Sequence, residues 1–258
     1  MLGLGITLPQ ITNLGGAFKP SDISDLNIWY DFSNVGTIYD DGVDVDDWKN
    51  SGSGGTNYDL TAEGSKEPVA DTIGGMGTLN SVRMSGSRFN IDNTYLTTGK
   101  TYTLFASYKR DDLDDTDTLF ASEVQQRSQY GLYSNANAMT ICASGESTSG
   151  NTIKGIYCNN TSGGTTAYEF TTNVEVLVTT IDDTGIKVYN QNNDFIGTGT
   201  LNTNATTDTN FQAKYIGSTS TSGSAHETYV GELGIYNKIL SNTERGQLIT
   251  YLKDRWIG

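Results

Sequence analysis

The sequence predicts an all-β sandwich or jelly roll, with one C-terminal helix and an extended N-terminal arm. Three observations predict it. Short runs of alternating apolar and polar residues recur along the chain at roughly even spacing, separated by Ser, Thr, Asn and Gly turns. One convincing helical signature occurs, and it closes the chain. The first 19 residues carry apolar side chains and glycines without a helical period. A chain of 258 residues can bury ~70–75% of its unfolded surface around a single core, so it needs no disulfide or metal staple.

The arm comes first. In MLGLGITLPQITNLGGAFK, Leu2, Leu4, Ile6, Leu8, Ile11 and Leu14 are interspersed with glycines, and no charged side chain precedes Lys19. Alone it cannot bury these side chains. It is expected to dock on its own domain, on a sister subunit or on another protein. Pro20 then opens PSDISDLNIWYDFSN, where Leu26, Ile28, Tyr30 and Phe32 alternate with Asn27, Trp29 and Asp31, a period-two strand. The stretch with Asp40, Asp41, Gly42, Asp44, Asp46, Asp47 and then DDWKNSGSGGTNYDLTAEGS is rich in turn residues and reads as loop.

From residue 78 onward the expected strands are 79–84, 88–91, 102–109, 118–124, 130–134, 139–143, 153–159, 165–170, 174–182, 185–191, 195–201, 214–217 and 229–236. Asp182-Asp183-Thr184-Gly185 is a hairpin turn, because Gly takes a positive φ at little cost. Ser241-Asn242-Thr243-Glu244 is a capping box. After it Leu248, Ile249, Leu252 and Trp256 recur on one helical face, which should pack on an edge or end of the sandwich. No repeat or linker interrupts this pattern, so the organisation is a docking arm over 1–19 and one domain over 20–258.

Composition excludes several functions. The net charge of −14, with no basic cluster, opposes nucleic-acid binding, which rests on cations facing phosphates. No apolar run is long enough to cross a membrane as a helix. No charged n-region precedes the apolar start, so no standard secretion signal is expected. The single histidine, His226, excludes multi-histidine metal sites and leaves any histidine-based triad to one loop residue in STSTSGSAHETYVGE. Cys142 and Cys158 are too far apart for a metal-type pair. They either face each other across a hairpin or stay free and buried.

Two acidic runs bear on calcium. Asp40, Asp41, Asp44, Asp46 and Asp47 form the first, and Asp111, Asp112, Asp114, Asp115 and Asp117 the second. Hard cations need several converging oxygens, but neither run has EF-hand order, and a solvated loop is the plainer role. No cofactor is expected, and a loop Ca2+ is not favoured. Aromatic side chains are plentiful, with 15 Tyr, 8 Phe and 3 Trp. Tyr130, Tyr133, Tyr157 and Tyr168 are candidates for an exposed sugar-binding face, although packing is the plainer role for each.

Several blocks together resemble the laminin-G-like, concanavalin A-like jelly-roll domains. They are PSDISDLNIWYDFSN, the loop with Trp48, Ser51, Gly52 and Pro68, then LNSVRMSGSRFNI, TYTLFASYKRDD and above all GELGIYNKILSNTERGQLITYLKDRW. The resemblance spans residues 20–258 and implies the fold, not an activity. Glycan hydrolases of this fold place two carboxylates on alternate residues of one strand. Here Glu169 and Glu175 have no Asp between them and Glu232 stands alone in Gly-Glu-Leu-Gly, so no enzyme is expected. Glu232 is expected to be a structural carboxylate at an edge or turn.

The start MLGLGITLP, leading into such a domain, is similar to small virion structural proteins of tailed phages. That resemblance implies a virion location after assembly in host cytoplasm, as a capsid decoration or a tail or fibre component. Its partners would be other virion proteins of capsid or tail, contacted through Leu2, Leu4, Ile6, Leu8, Ile11 and Leu14. A homo-oligomer is possible, nucleic acid and membrane insertion are not expected, and the alternative is an adhesin that binds a host-surface glycan.

Overall fold

A computed structural model of the chain describes residues 17–33, 38–40, 45–63, 69–71, 76, 79–85, 87–98, 101–112, 117–121, 129–132, 138–142, 155–157, 170–182, 185–199, 211–217 and 227–258. In chain order the strands are β1 (Leu26–Asp31), β2 (Ile38–Asp40), β3 (Val45–Trp48), β4 (Leu60–Glu63), β5 (Val69–Asp71) and β6 (Ser81–Ser85). Then come β7 (Arg88–Leu96), β8 (Tyr102–Arg110), β9 (Asp117–Ala121), β10 (Gln129–Leu132), β11 (Ala138–Cys142) and β12 (Gly155–Tyr157). The last are β13 (Glu175–Asp182), β14 (Gly185–Tyr189), β15 (Phe195–Gly199), β16 (Gln212–Gly217) and β17 (Glu227–Tyr236), followed by helix α1 (Asn242–Trp256).

Among the described residues these strands form two antiparallel sheets. One has eight strands in the order β15-β14-β13-β8-β17-β6-β5, with β1 also paired to β17. The other has nine, in the order β12-β11-β10-β9-β16-β7-β4-β3-β2. The main core lies between them: Ile28, Tyr30, Leu104, Leu177 and Leu233 from the first sheet meet Trp48, Leu60, Phe89, Phe120 and Ala213 from the second. This is a β-sandwich of jelly-roll type with one C-terminal helix, as the alternating runs predict.

The eight-stranded sheet is covered on both faces, and its sequence shows why. In β8 the residues Leu104, Ala106 and Tyr108 point into the main core, while Phe105 points the other way into a second cluster. The same split runs through β13, with Leu177 inward and Val176 and Val178 outward. A strand buried on both faces reads as a continuous apolar run rather than an alternation. The cover on the outer face is α1, whose Leu248, Ile249, Leu252 and Trp256 join Leu26, Trp29 and Tyr236 in that second cluster. The helix therefore packs on a sheet face, not on the expected edge or end.

The capping box starts the helix where expected: Ser241 Oγ accepts from Glu244 N at 3.3 Å, and Glu244 returns to Ser241 N at 2.9 Å. The 182–185 hairpin also forms, with Asp182 opposite Gly185 and Asp182 Oδ1 accepting from Gly185 N at 3.1 Å. The clearest departure is the Asp-rich stretch read as loop, which holds β3 and β4 and begins at the last residue of β2. In β3 only Val45 and Trp48 are buried, with Asp46 and Asp47 half-buried between them. A short half-buried strand with acidic residues between its two core contacts has no apolar alternation to reveal it. Of the expected strand at 165–170, residues 165–169 lie outside the described residues.

Candidate functional site

Glu232 is the best-placed carboxylate of the described structure, and it is not at an edge or turn. It sits within β17, fully buried. Val230 pairs with Tyr108 and Glu232 with Ser107, so Gly231 is an extra residue in the strand. This bulge switches the alternation. Val230 and Leu233 both reach the main core, and Glu232 turns to the outer face beneath α1. A Cβ on Gly231 would lie 2.7 Å from the Trp256 ring, so the glycine leaves room for the indole to lie against the strand.

Three hydrogen-bond donors and one cation converge on the Glu232 carboxylate. Trp29 Nε1 donates to Oε2 at 3.0 Å and Trp256 Nε1 to Oε1 at 3.0 Å. Tyr251 OH donates to Oε1 at 3.3 Å, and Arg255 Nε lies 2.9 Å from the same oxygen. The backbone N–H of Glu232 donates to Ser107 Oγ at 2.7 Å. Asp31 is directly opposite Glu232 across β1 and β17. Two carboxylates in that register repel when both are ionised, and Arg255 contacts both. Its Nη2 reaches Asp31 Oδ1 at 3.1 Å and Oδ2 at 2.9 Å, and it also contacts Ser33 Oγ.

Burial pushes the Glu232 carboxyl up to about 8, and the charge of Asp31 adds to the rise. The bonds from Trp29 and Trp256 and the Arg255 cation pull it down. A raised carboxyl can mark a catalytic acid, but here indoles, a phenol and a guanidinium occupy the oxygens. The cluster ties β1, β17 and α1 together and presents no acid to a substrate.

The open feature nearby is a groove of about 740 Å3 on the outer side of α1. Ala17 and Phe18 form one wall. Its floor is two adjacent rows of the helix, Asn242, Gly246, Thr250 and Asp254 beside Thr243, Gln247, Tyr251 and Arg255. Phe18 meets Tyr251 edge-on, with ring centroids 6.0 Å apart at 72°. The groove and the carboxylate cluster thus share Tyr251 and Arg255.

The other sequence candidates fall as follows. Leu2, Leu4, Ile6, Leu8, Ile11 and Leu14 lie outside the described residues, as do His226, Cys158, Glu169, Tyr133 and Tyr168. Cys142 is on β11 and Tyr157 on β12. Tyr130 corrects the idea of an exposed aromatic face at that position: it is fully buried, with its OH 3.4 Å from Thr179 Oγ1. Glu175 is buried and accepts from Tyr108 OH at 2.7 Å and Thr171 N at 3.1 Å. Trp29, Trp48 and Trp256 are buried, in keeping with structural roles.

The acidic runs are split between strands and loops: Asp40 is on β2, Asp46 and Asp47 on β3, and Asp117 on β9. Asp111 and Asp112 are exposed, and Asp41, Asp44, Asp114 and Asp115 lie outside the described residues. Among the described residues no group of three His, Cys, Asp or Glu is placed to hold a metal ion. No described helix is long and apolar enough to cross a membrane.

No family model matches the chain, and no curated protein matches its sequence. Solved structures do match. The receptor-binding domain of botulinum neurotoxin C/D mosaic serotype is similar with a TM-score of 0.58 and 12% identity, over 88% of this chain and 51% of that one. The binding domain of Paraclostridial Mosquitocidal Protein 1 is similar with a TM-score of 0.57 and 12% identity, over 90% of this chain and 53% of that one. The likeness is one of fold. A third similar structure is the botulinum neurotoxin serotype D ligand-binding domain in complex with N-acetylneuraminic acid, with a TM-score of 0.55 and 12% identity. The chain spans about half the length of these domains.

Sequence reasoning named Glu232, Trp29 and Trp256 but missed Asp31, Arg255 and Tyr251 as their partners. It also missed the groove. Available signals were the glycine before Glu232 and the Arg255-Trp256 pair at the helix end.

Proposed function

We propose that the chain is a non-catalytic surface module of a tailed-phage particle, held there through residues 1–19 and displaying its sandwich outward. The observation that carries this reading is where the apolar segment joins the body. Phe18 packs on Tyr251 of α1, and α1 covers the outer face of the eight-stranded sheet. The nine-stranded sheet presents its outer face on the far side, where Thr61 and Asp92 are exposed. Attachment through residues 1–19 leaves that face free. Burying Leu2, Leu4, Ile6, Leu8, Ile11 and Leu14 at about 1.5–3 kcal/mol each, before ordering costs, is enough to anchor a subunit. The filled carboxylate of Glu232 and the likeness to binding domains both support a role without catalysis.

Deleting residues 2–14 tests it. The truncated chain should stay folded and disappear from purified particles, with copies counted against the major capsid protein by quantitative mass spectrometry. Truncated chain present at the full-length copy number would refute the arm as the anchor. Absence of the full-length chain from particles would refute the virion reading.

A second reading is glycan binding, favoured by one observation: two similar solved domains are described in complex with N-acetylneuraminic acid and with SialylT. Saturable binding of the purified chain to sialylated or host-surface polysaccharide would support it, and no binding across a broad glycan panel would remove it.

A further inference from the structure

We propose that the groove along α1 is the seat of residues 2–14 of the same chain. This goes beyond the particle reading, because it concerns the purified protein before any assembly.

The argument begins with Gly246. It lies in the interior of α1, where glycine costs about 1 kcal/mol relative to alanine. Among the described residues nothing requires it there: a Cβ would meet Asn193 Nδ2 alone, at 3.9 Å. A side chain is missing from the groove floor where the described residues leave room for one. Close approach of another backbone gives that absence a use.

The chemistry of the groove fits an uncharged, glycine-containing, apolar segment. In a protein of net charge −14, the floor is uncharged from Asn242 through Thr250 along both helix rows. Amide and hydroxyl side chains there can bond to a backbone that has no ladder of its own. The rings of Phe18 and Tyr251 offer apolar contact. Residues 2–14 bring aliphatic side chains, glycines and no charge.

The chain's own segment is the occupant favoured by geometry. Two glycines, Gly15 and Gly16, join it to Ala17 and Phe18, which are the groove wall. Thirteen residues extended reach ~43 Å, against ~22 Å for a fifteen-residue helix, so the segment can fold back along the whole floor. Such a tether holds it at millimolar effective concentration, far above that of a second copy in dilute solution.

Limited thermolysin digestion of the purified full-length chain tests this, with the released N-terminal fragments identified by mass. Thr250→Arg and Gln247→Arg each place a charged side chain on an exposed part of the groove floor. In the parent chain, bonds within 2–14 should be cut at least tenfold more slowly than in either variant, with circular dichroism and melting confirming that the body is intact. Having two variants covers the failure of one to fold. Rapid cleavage in parent and variants alike would overturn the proposal, since the segment would then be unseated. Equal protection in all three would overturn it too, because the segment would be held elsewhere. Protection that rises with protein concentration, together with a dimer in sedimentation, would assign the groove to a second copy instead. None of these results depends on incorporation into particles.

Discussion

Replacing Arg255 by Met is expected to lower the unfolding free energy by about 3 kcal/mol at pH 7, the scale set by removing one partner of a buried ion pair. Met keeps most of the aliphatic length of Arg, so the effect reports mainly the charge. Asp31 and Glu232 face each other across two strands, and Arg255 is within 2.9 Å of both. Without the cation, Asp31 stays 7% exposed with its charge unanswered. At pH 9, above the raised Glu232 carboxyl, the Arg255→Met/Glu232→Gln double variant should regain part of the loss, because one of the two facing carboxylate charges is then gone. Urea denaturation of the parent, both single variants and the double variant closes the cycle. If Arg255→Met costs less than about 0.5 kcal/mol, the pair behaves like an exposed surface bridge and α1 is held by its apolar face alone.

The fold and this cluster depend on the same few residues. A bulge in β17 moves Glu232 out of the main core, and Gly231 makes space for Trp256. Gly234 does the same for Phe105, whose ring would lie 2.2 Å from an added Cβ. The helix then lies close enough to the sheet for Trp256, Tyr251 and Arg255 to reach one carboxylate. Gly-Glu-Leu-Gly is thus a docking surface for α1. The carboxylate compensates there for strand positions that have no side chains of their own.

Most of the sandwich was legible because its strands obey local rules. The period-two run before residue 33, the apolar runs of β8 and β13, the 182–185 hairpin and the Ser241–Glu244 cap each announce themselves within a few residues. β2 to β5 did not, because their sheet positions are fixed by partners rather than by their own pattern. Leu60 pairs with Trp48 on one side and with Ile91 on the other, in a stretch rich in turn residues. The site was less legible still. Trp29 and Glu232 are 203 positions apart, and Arg255 and Asp31 are 224 apart. No spacing rule connects such residues. The groove combines residues 17 and 18 with the helix, so it too exists only once the chain has folded.

The raised Glu232 carboxyl predicts a second large effect, on the pH dependence of stability. Its ordinary value of 4.5 rises to about 8 in the fold, chiefly through burial. Between these two values the folded chain holds a proton that the unfolded chain has released. Stability from this group is therefore complete below about 4.5 and is lost as the pH rises toward 8, with a slope of about 1.4 kcal/mol per pH unit inside the window. Glu244 does not obscure it. Its hydrogen bond to Lys238, with those at Ser241, lowers it to about 2, so its titration falls below the window. Unfolding free energies measured in urea at pH 5, 6, 7 and 8 should fall steadily in the parent chain and much less in Glu232→Gln, which has no proton to lose. Parallel slopes in the two proteins would mean that Glu232 ionises near its ordinary value. The hydrogen bonds from Trp29 and Trp256 and the charge of Arg255 would then outweigh desolvation, and the cluster would be a true buried ion network rather than a sealed acid.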